Sequence, residues 1–454
     1  MIACLSTGCA VGPAYQLPST PEPIAFKEAA GWHPAAPADM LERGPWWTLF
    51  GDPVLNDMAA SIEVSNQNVA AAAAAYAQAR ALVTEQRAQL FPAVNLNGSA
   101  NRSGGGGDTR TSSQYRVNIG GSWEPDIWGR LRAASNGAQA GAAASAADLA
   151  AARLSAQGEL AANYFALRQA DAQKALLDTT VTGYERVLQI TQNRFDAAIA
   201  AKSDVLQAQT QLANARIDQL TVARQRAQLE HAIAVLLGKA PAEFTLAPLP
   251  AQGLVVVPQV PAGVPSALLQ RRPDIAAAER RVAAANEQIG IARAAYYPNL
   301  NLSASYGFGA SQLSGLFGAS SSLWSLGLSA AQTLFDAGAT GARVAGAEAG
   351  RDAAIARYRQ TVLNAFADVE DQLAASRALE QQQDLRQTAS SAAEQVEQQM
   401  LNRYRAGQVA YTEVVQAQVT ALNARRSLLQ AQADRQTTAV ALIQSLGGGW
   451  HAGH

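Results

Sequence analysis

Four stretches of the chain alternate between apolar and polar residues with period two. Val94 and Leu96 share one face and Asn95, Asn97 and Ser99 the other; Tyr115, Val117, Ile119 and Trp123 oppose Arg116, Asn118 and Ser122. Further along, Leu300, Leu302, Ala304, Tyr306 and Phe308 oppose Asn299, Asn301, Ser303 and Ser305, and Trp324, Leu326 and Leu328 oppose Ser325, Gly327 and Ser329. Period two is the mark of a strand, so strands are predicted over 93–101, 114–124, 299–309 and 323–330. After each strand pair comes a long helical stretch, 129–194 and 341–403, with a shorter partner running back over 203–237 and 412–446. At 1.5 Å per residue, some 60 helical residues span on the order of 90 Å, which points to a coiled-coil-like assembly.

The two halves echo each other. Asn193-Arg194-Phe195, Gln207-Ala208-Gln209 and Asn214-Ala215-Arg216 reappear without a gap as Asn402-Arg403-Tyr404, Gln416-Ala417-Gln418 and Asn423-Ala424-Arg425. Phe91-Pro92 with Asn95-Leu96 returns as Tyr297-Pro298 with Asn301-Leu302. A tandem duplication follows: repeats at 56–240 and 266–447, each reading helix, strand, loop, strand, very long helix, break, long helix. A Pro/Val-rich connector, 241–265, joins them. An irregular segment, 1–55, opens the chain, and a short tail, 448–454, ends it.

Composition sharpens this picture. Charged residues are only 16% of the 454, and much of the 48% hydrophobic share is Ala, which suits helices packed closely through small side chains. A net charge of −1 gives no electrostatic case for nucleic acid. No apolar run reaches 18 residues, so any membrane crossing must use strands. The polar strand faces are uncharged apart from Arg116, as a wet lumen requires. Asn95, Asn97, Arg116, Asn118, Asn301 and Ser303 are the expected lumen-facing residues, with aromatic residues near strand ends as an interfacial girdle. Four strands cannot close a barrel, whereas three copies supply about 12. Loops 102–114 and 309–322 then face outside.

The breaks between paired helices, 194–203 and 403–412, gather Arg194, Asp196, Lys202, Asp204, Arg403, Tyr404, Arg405, Tyr411 and Glu413, with Gly407 available for positive φ at the reversal. Either these groups form a constriction held by ion pairs and tyrosine hydrogen bonds, or they are ordinary charge at helix ends. Enzyme chemistry finds no site. His33, His231, His451 and His454 are scattered, and Gly104–Gly107 lacks the Lys-Ser/Thr of a phosphate loop. Glu124 and Asp126 beside Trp123 and Trp128 read as a strand-to-helix corner rather than a carbohydrate cleft. No catalytic residue, metal site or cofactor is expected. Cys4 and Cys9 lie at the N-terminus. Gly8-Cys9-Ala10-Val11-Gly12-Pro13 resembles the processing site of a bacterial lipoprotein, with a longer precursor carrying the signal and Cys9 carrying the lipid.

Four motifs carry a wider resemblance: that opening with Tyr15 and Pro18; Trp46-Trp47-x-x-Phe50-x-Asp52-Pro53-x-Leu55-Asn56; Arg271-Arg272-Pro273-Asp274-Ile275 with Ala277-Ala278-Glu279 and Ile289-Gly290; and Arg403-Tyr404-x-x-Gly407. The sequence resembles the TolC-like outer-membrane factors, in the NodT-type lipoprotein branch. The resemblance implies a homotrimer with a shared antiparallel β-barrel in the outer membrane, continued by a periplasmic α-helical barrel. It implies an equatorial collar built from the N-terminal, middle and C-terminal segments. It also implies a periplasmic adaptor docking at the helical tip and an inner-membrane pump, proton-driven in the favoured reading, that supplies the energy. The chain departs from the family where Gln408-Val409-Ala410 replaces an acidic second turn and where Asp196-Ala197-Ala198 lacks a glycine. The expected function is a passive duct for drugs and toxic small molecules, which confers antibiotic resistance. The alternatives are a polypeptide secretion duct for an ATP-driven exporter and a structural coiled-coil surface protein.

Overall fold

The computed structural model describes residues 11–20, 23, 25–29, 45–104, 111–249, 257–258 and 272–448. Cys9, Arg271, most of the 241–265 connector and the tail beyond 448 lie outside them. The elements run α1 (Pro53–Ser65), α2 (Gln67–Ala88), β1 (Ala93–Ser103), β2 (Ser112–Trp123), α3 (Arg130–Asp196), α4 (Lys202–Leu236), α5 (Pro273–Ala294), β3 (Asn299–Ala310), β4 (Ser322–Ala331), α6 (Ala339–Arg405) and α7 (Tyr411–Ser445). The paired long helices match in length, 67 residues for α3 and α6 and 35 for α4 and α7. The chain divides into two compact units, and each draws on both halves of the sequence. One comprises Met1–Thr20, Ala74–Ala147 and Ile275–Thr361; the other comprises Pro21–Ala73, Asp148–Asp274 and Val362–His454.

The first unit holds a four-stranded antiparallel sheet in the order β1-β2-β3-β4. The strands run one or two residues past most of the ends read from alternation. The β1–β2 ladder, for example, continues through Arg102↔Ser113 and Ser103↔Ser112, where backbone pairing needs no apolar partner. The apolar face lies open, with Leu96 72%, Leu326 74% and Trp324 79% exposed. The opposite face leaves less room at its glycines. A Cβ on Gly307 would lie 2.3 Å from the Val117 carbonyl, and one on Gly327 would lie 3.0 Å from Ser303 Oγ. On the apolar face a Cβ on Gly98 would meet nothing within 4 Å.

Aspartates make both corners from sheet to helix. Asp126 accepts from the Leu131 and Arg132 amides, each at 2.9 Å, and Asp336 accepts from the Thr340 amide at 2.7 Å. These caps satisfy orphan amides at the starts of α3 and α6, and hydrogen bonds from Thr340 hold the Asp336 carboxyl below its usual range. Glu124, the other acid of that corner, pairs with Arg130 at 2.7 Å. Segment 11–20 lies along α5. There Gly12 and Gly290 approach so closely that a Cβ on Gly12 would sit 3.0 Å from Gly290 Cα, and Tyr15 donates to Glu279.

In the second unit, Trp46, Trp47, Phe50, Leu55 and Ile62 pack with Leu160, Tyr164, Phe165, Ile233, Val369 and Ile443 in one core. Asp52 caps α1 through the Val54 and Leu55 amides and accepts from the Tyr164 hydroxyl at 2.5 Å. The helix expected before β1 is two: Asn66 has extended backbone, ends α1, caps α2 through the Val69 amide and donates to the Leu236 carbonyl at 2.8 Å.

Two arginines at equivalent repeat positions hold extended segments against this unit. Arg168 donates to the Ala247 carbonyl at 2.8 Å and pairs at 3.0 Å with Asp171, which also pairs with Arg226 at 2.7 Å. Arg226 and Glu230 bind the backbone of Leu246. In the second repeat Arg377 donates to the Glu28 carbonyl, while Glu370 accepts from the Lys27 and Glu28 amides. Removing Asp171 leaves the buried Arg168 without a carboxylate and takes one of two from Arg226, which keeps Glu230. Asp171→Ala is therefore expected to destabilise this unit by about 3–5 kcal/mol and to expose the 244–249 segment. Denaturant unfolding and limited proteolysis read the two effects.

Candidate functional site

The reversals that join α3 to α4 and α6 to α7 share one geometry. The Ala198 amide donates to the Phe195 carbonyl and the Ile199 amide to the Arg194 carbonyl, both at 2.8 Å. In the second reversal the Gly407 amide donates to the Tyr404 carbonyl and the Gln408 amide to the Arg403 carbonyl, both at 2.9 Å. Each is a helix end closed by a left-handed residue. Gly407 takes φ 75°, and Ala198 takes φ 56° although it carries a Cβ. The glycine missing from the first turn therefore leaves the turn intact, and alanine holds a conformation that costs roughly 1–2 kcal/mol.

Arg194 connects the two reversals. Its Nη1 donates to the Tyr404 carbonyl at 2.8 Å, and its guanidinium lies 4.7 Å from the Tyr404 ring centre. Tyr404 and Tyr411 are buried with ring centres 5.3 Å apart, packed with Val187, Ala208 and Val414. The Tyr404 hydroxyl has no hydrogen-bond partner among the described residues. Burial, then the neighbouring Tyr404, pushes the Tyr411 hydroxyl far up. The remaining candidates lie apart: Asp196 accepts from Gln192, Lys202 and Asp204 open α4, Glu413 lies in the first turn of α7, and Arg403 and Arg405 are exposed in the last turn of α6. No ion pair joins these candidates among the described residues. Within one chain the contact is an arginine on a backbone carbonyl and a ring.

Farther along the helices, repeat-equivalent pairs Arg216–Glu185 and Arg425–Glu394, each at 2.8 Å, tie each hairpin together. Arg425 also pairs with Glu397 at 3.0 Å, a position that Leu188 fills in the first repeat. Burial raises the Glu397 carboxyl despite Arg425, and Tyr184 beside it is pushed up to about 12, chiefly by burial and then by the Glu397 charge. Sequence reading missed these pairs and the Arg168 and Arg377 clamps, although each arginine recurs at its repeat-equivalent position and so carried a signal.

On the sheet, Asn95 lies opposite Gly120, Asn97 opposite Asn118, and Arg116 between Ser99 and Gly309. Asn301 lies opposite Ser329, and Ser303 between Ser122 and Gly327. All six residues sit on the crowded face together with Gly120, Gly307, Gly309 and Gly327. Leu323, paired with Gly307, is the one large apolar side chain on that face among the described strand residues.

The model of the outer membrane efflux protein family matches residues 59–239 and 264–448. The chain belongs to that family. It is a family of channel and transport proteins rather than a class of enzymes. The chain is 32% identical to the solvent efflux pump outer membrane protein SrpC of Pseudomonas putida, over 98% of this chain and 96% of that protein. It is 30% identical to the cation efflux system protein CusC of Escherichia coli, over 99% and 97%. The solved outer-membrane channel OprN superposes with a TM-score of 0.90 at 31% identity, covering 97% of this chain and 100% of that one. The fold is thus that of these channels, mostly helical with one small sheet. Two of the motifs that carried the family resemblance meet in space: Gly12 and Tyr15 with Gly290 and Glu279.

The strained alanine predicts that Ala198→Gly slows amide exchange in the 196–203 turn by roughly fivefold, about 1 kcal/mol, and that Gly407→Ala speeds exchange in the other turn similarly. A second prediction concerns Glu397, faced by Arg425, Glu394 and Tyr184. Because its carboxyl is raised in the folded state, the folded protein binds more protons than the unfolded chain just above the ordinary carboxylate range. Stability therefore rises as pH falls through that window and drops as pH climbs out of it. Glu397→Gln is expected to flatten this slope in denaturation midpoints measured across mildly acidic pH.

Proposed function

We propose that this protein is the outer-membrane exit duct of a tripartite efflux system, passive in itself and carrying small toxic molecules delivered by an inner-membrane pump through a periplasmic adaptor. The observation that carries the reading is the sheet. Its apolar face is open, its polar face is uncharged but for Arg116, and β1 and β4 have free edges. Bilayer hydrocarbon tolerates no free edge. Pairing β4 of one copy with β1 of the next removes both, and three copies make a barrel of about 12 strands, within the size range of outer-membrane barrels. Asn95, Asn97, Arg116, Asn118, Asn301 and Ser303 then line its lumen.

The N-terminal opening supports a lipid, palmitate among its chains, on Cys9, which anchors each copy in the outer membrane while the long helices extend into the periplasm. The helical reversals form the tip that meets the adaptor. The matched relatives favour small cargo over polypeptide: SrpC is named for solvent and CusC for cation efflux. The pump, not the duct, selects the cargo and supplies the energy.

The test is intracellular accumulation of a panel of dyes, antibiotics and organic solvents in cells with and without the gene. Deletion is expected to raise accumulation and the intact gene to restore it. An unchanged panel, with the partner pump expressed, would turn the reading toward polypeptide secretion.

A further inference from the structure

The two helical reversals are copies of one unit, yet the chain shows only one side of what that unit does. Arg194, Phe195, Ala198 and Lys202 stand at the same spacing from one another as Arg403, Tyr404, Gly407 and Tyr411, and Val187 has its repeat mate in Val396. In the first copy of the unit, Arg194 reaches to the second hairpin, donating to the Tyr404 carbonyl and covering its ring. Val187 is 4% exposed in the cluster behind it. In the second copy of the unit, Val396 is 47% exposed, and Arg403 is exposed with no hydrogen bond or ion pair among the described residues. The acceptors differ in the same sense. The Tyr404 carbonyl receives both the Gly407 amide and Arg194, whereas the Phe195 carbonyl receives the Ala198 amide alone. A donor without an acceptor, a carbonyl with a free lone pair and an uncovered valine thus mark a contact that a single chain cannot complete.

We propose that a second copy of this chain completes it: Arg403 of one copy donates to the Phe195 backbone carbonyl of its neighbour and lies over that ring, with Val396 packed behind. Copies then join at the reversals as the two hairpins of one chain join each other. This deepens the trimeric duct reading and rests on it. The two kinds of seam are unequal. Where the seam within a chain carries buried Tyr411, the seam between copies carries Lys202, a second cation near Arg403. By the same equivalence Asp196 stands there for Arg405 and Asp204 for Glu413, so the two seams differ in both packing and charge.

Cysteine pairs with a short bis-maleimide test this in the full-length protein. Phe195→Cys with Arg403→Cys is expected to give bands at two and three chain masses on a denaturing gel, and neither single variant is. The intrachain pair, Arg194→Cys with Tyr404→Cys, is expected to react within one chain. Light scattering in detergent counts the copies independently. Three copies, a reacting intrachain pair and only single-chain bands from Phe195→Cys with Arg403→Cys would overturn the seam while leaving the trimer standing. A single copy by light scattering would remove the trimer reading and the seam with it.

Discussion

Inside a bilayer, backbone amides and carbonyls at the edge of a sheet have no water to bond, and each unsatisfied group costs several kcal/mol. This chain presents two such edges, on β1 and β4, flanking a face of exposed Val, Leu, Ile and Trp. In hydrocarbon the free edges leave backbone groups unsatisfied, and in water the apolar face stays exposed. In the proposed trimer, closing the edges against further copies satisfies the backbone, turns the apolar face to lipid and leaves the Asn, Ser and Gly face around an aqueous lumen. Much of the remaining structure follows. The glycines on the polar face allow close backbone approach, and the aspartate caps at Asp126 and Asp336 turn each strand pair into a long helix.

Duplication explains why the helices come in matched pairs and why the same devices recur. Arg168 and Arg377 each hold an extended segment by its carbonyls, and Arg216 and Arg425 each tie a hairpin through a glutamate. Where the repeats diverge, the divergence is local. Glu397 stands for Leu188, Tyr411 for Lys202 and Gly407 for Ala198. In a ring built from such repeats, those substitutions make alternate hairpin contacts chemically distinct.

Among the described strand residues the polar face carries a single charge, Arg116, which fits the proposed conduit. A duct that must pass varied molecules gains nothing from a tight polar pocket, and neutral Asn and Ser offer hydrogen bonds of either sense without fixing an ion. Asp171, set between two arginines, and Asp52, beneath Tyr164, hold segments in place rather than acting on cargo.

Local periodicity by itself determined the four strands, the two long hairpins and the duplication, because period two, long helical runs and a gapless repeat are properties of neighbouring residues. It also picked out Gly407 as a reversal and the polar strand face as one surface. Tertiary structure alone decided that Ala198 adopts the same left-handed turn, because the surrounding hydrogen bonds outweigh its Cβ. It alone decided that Arg194 seeks a carbonyl 210 positions away rather than a carboxylate, and that Gly12 and Tyr15 lie on Gly290 and Glu279. Those contacts join residues far apart in the chain, and which partner wins depends on which groups folding has already taken out of water.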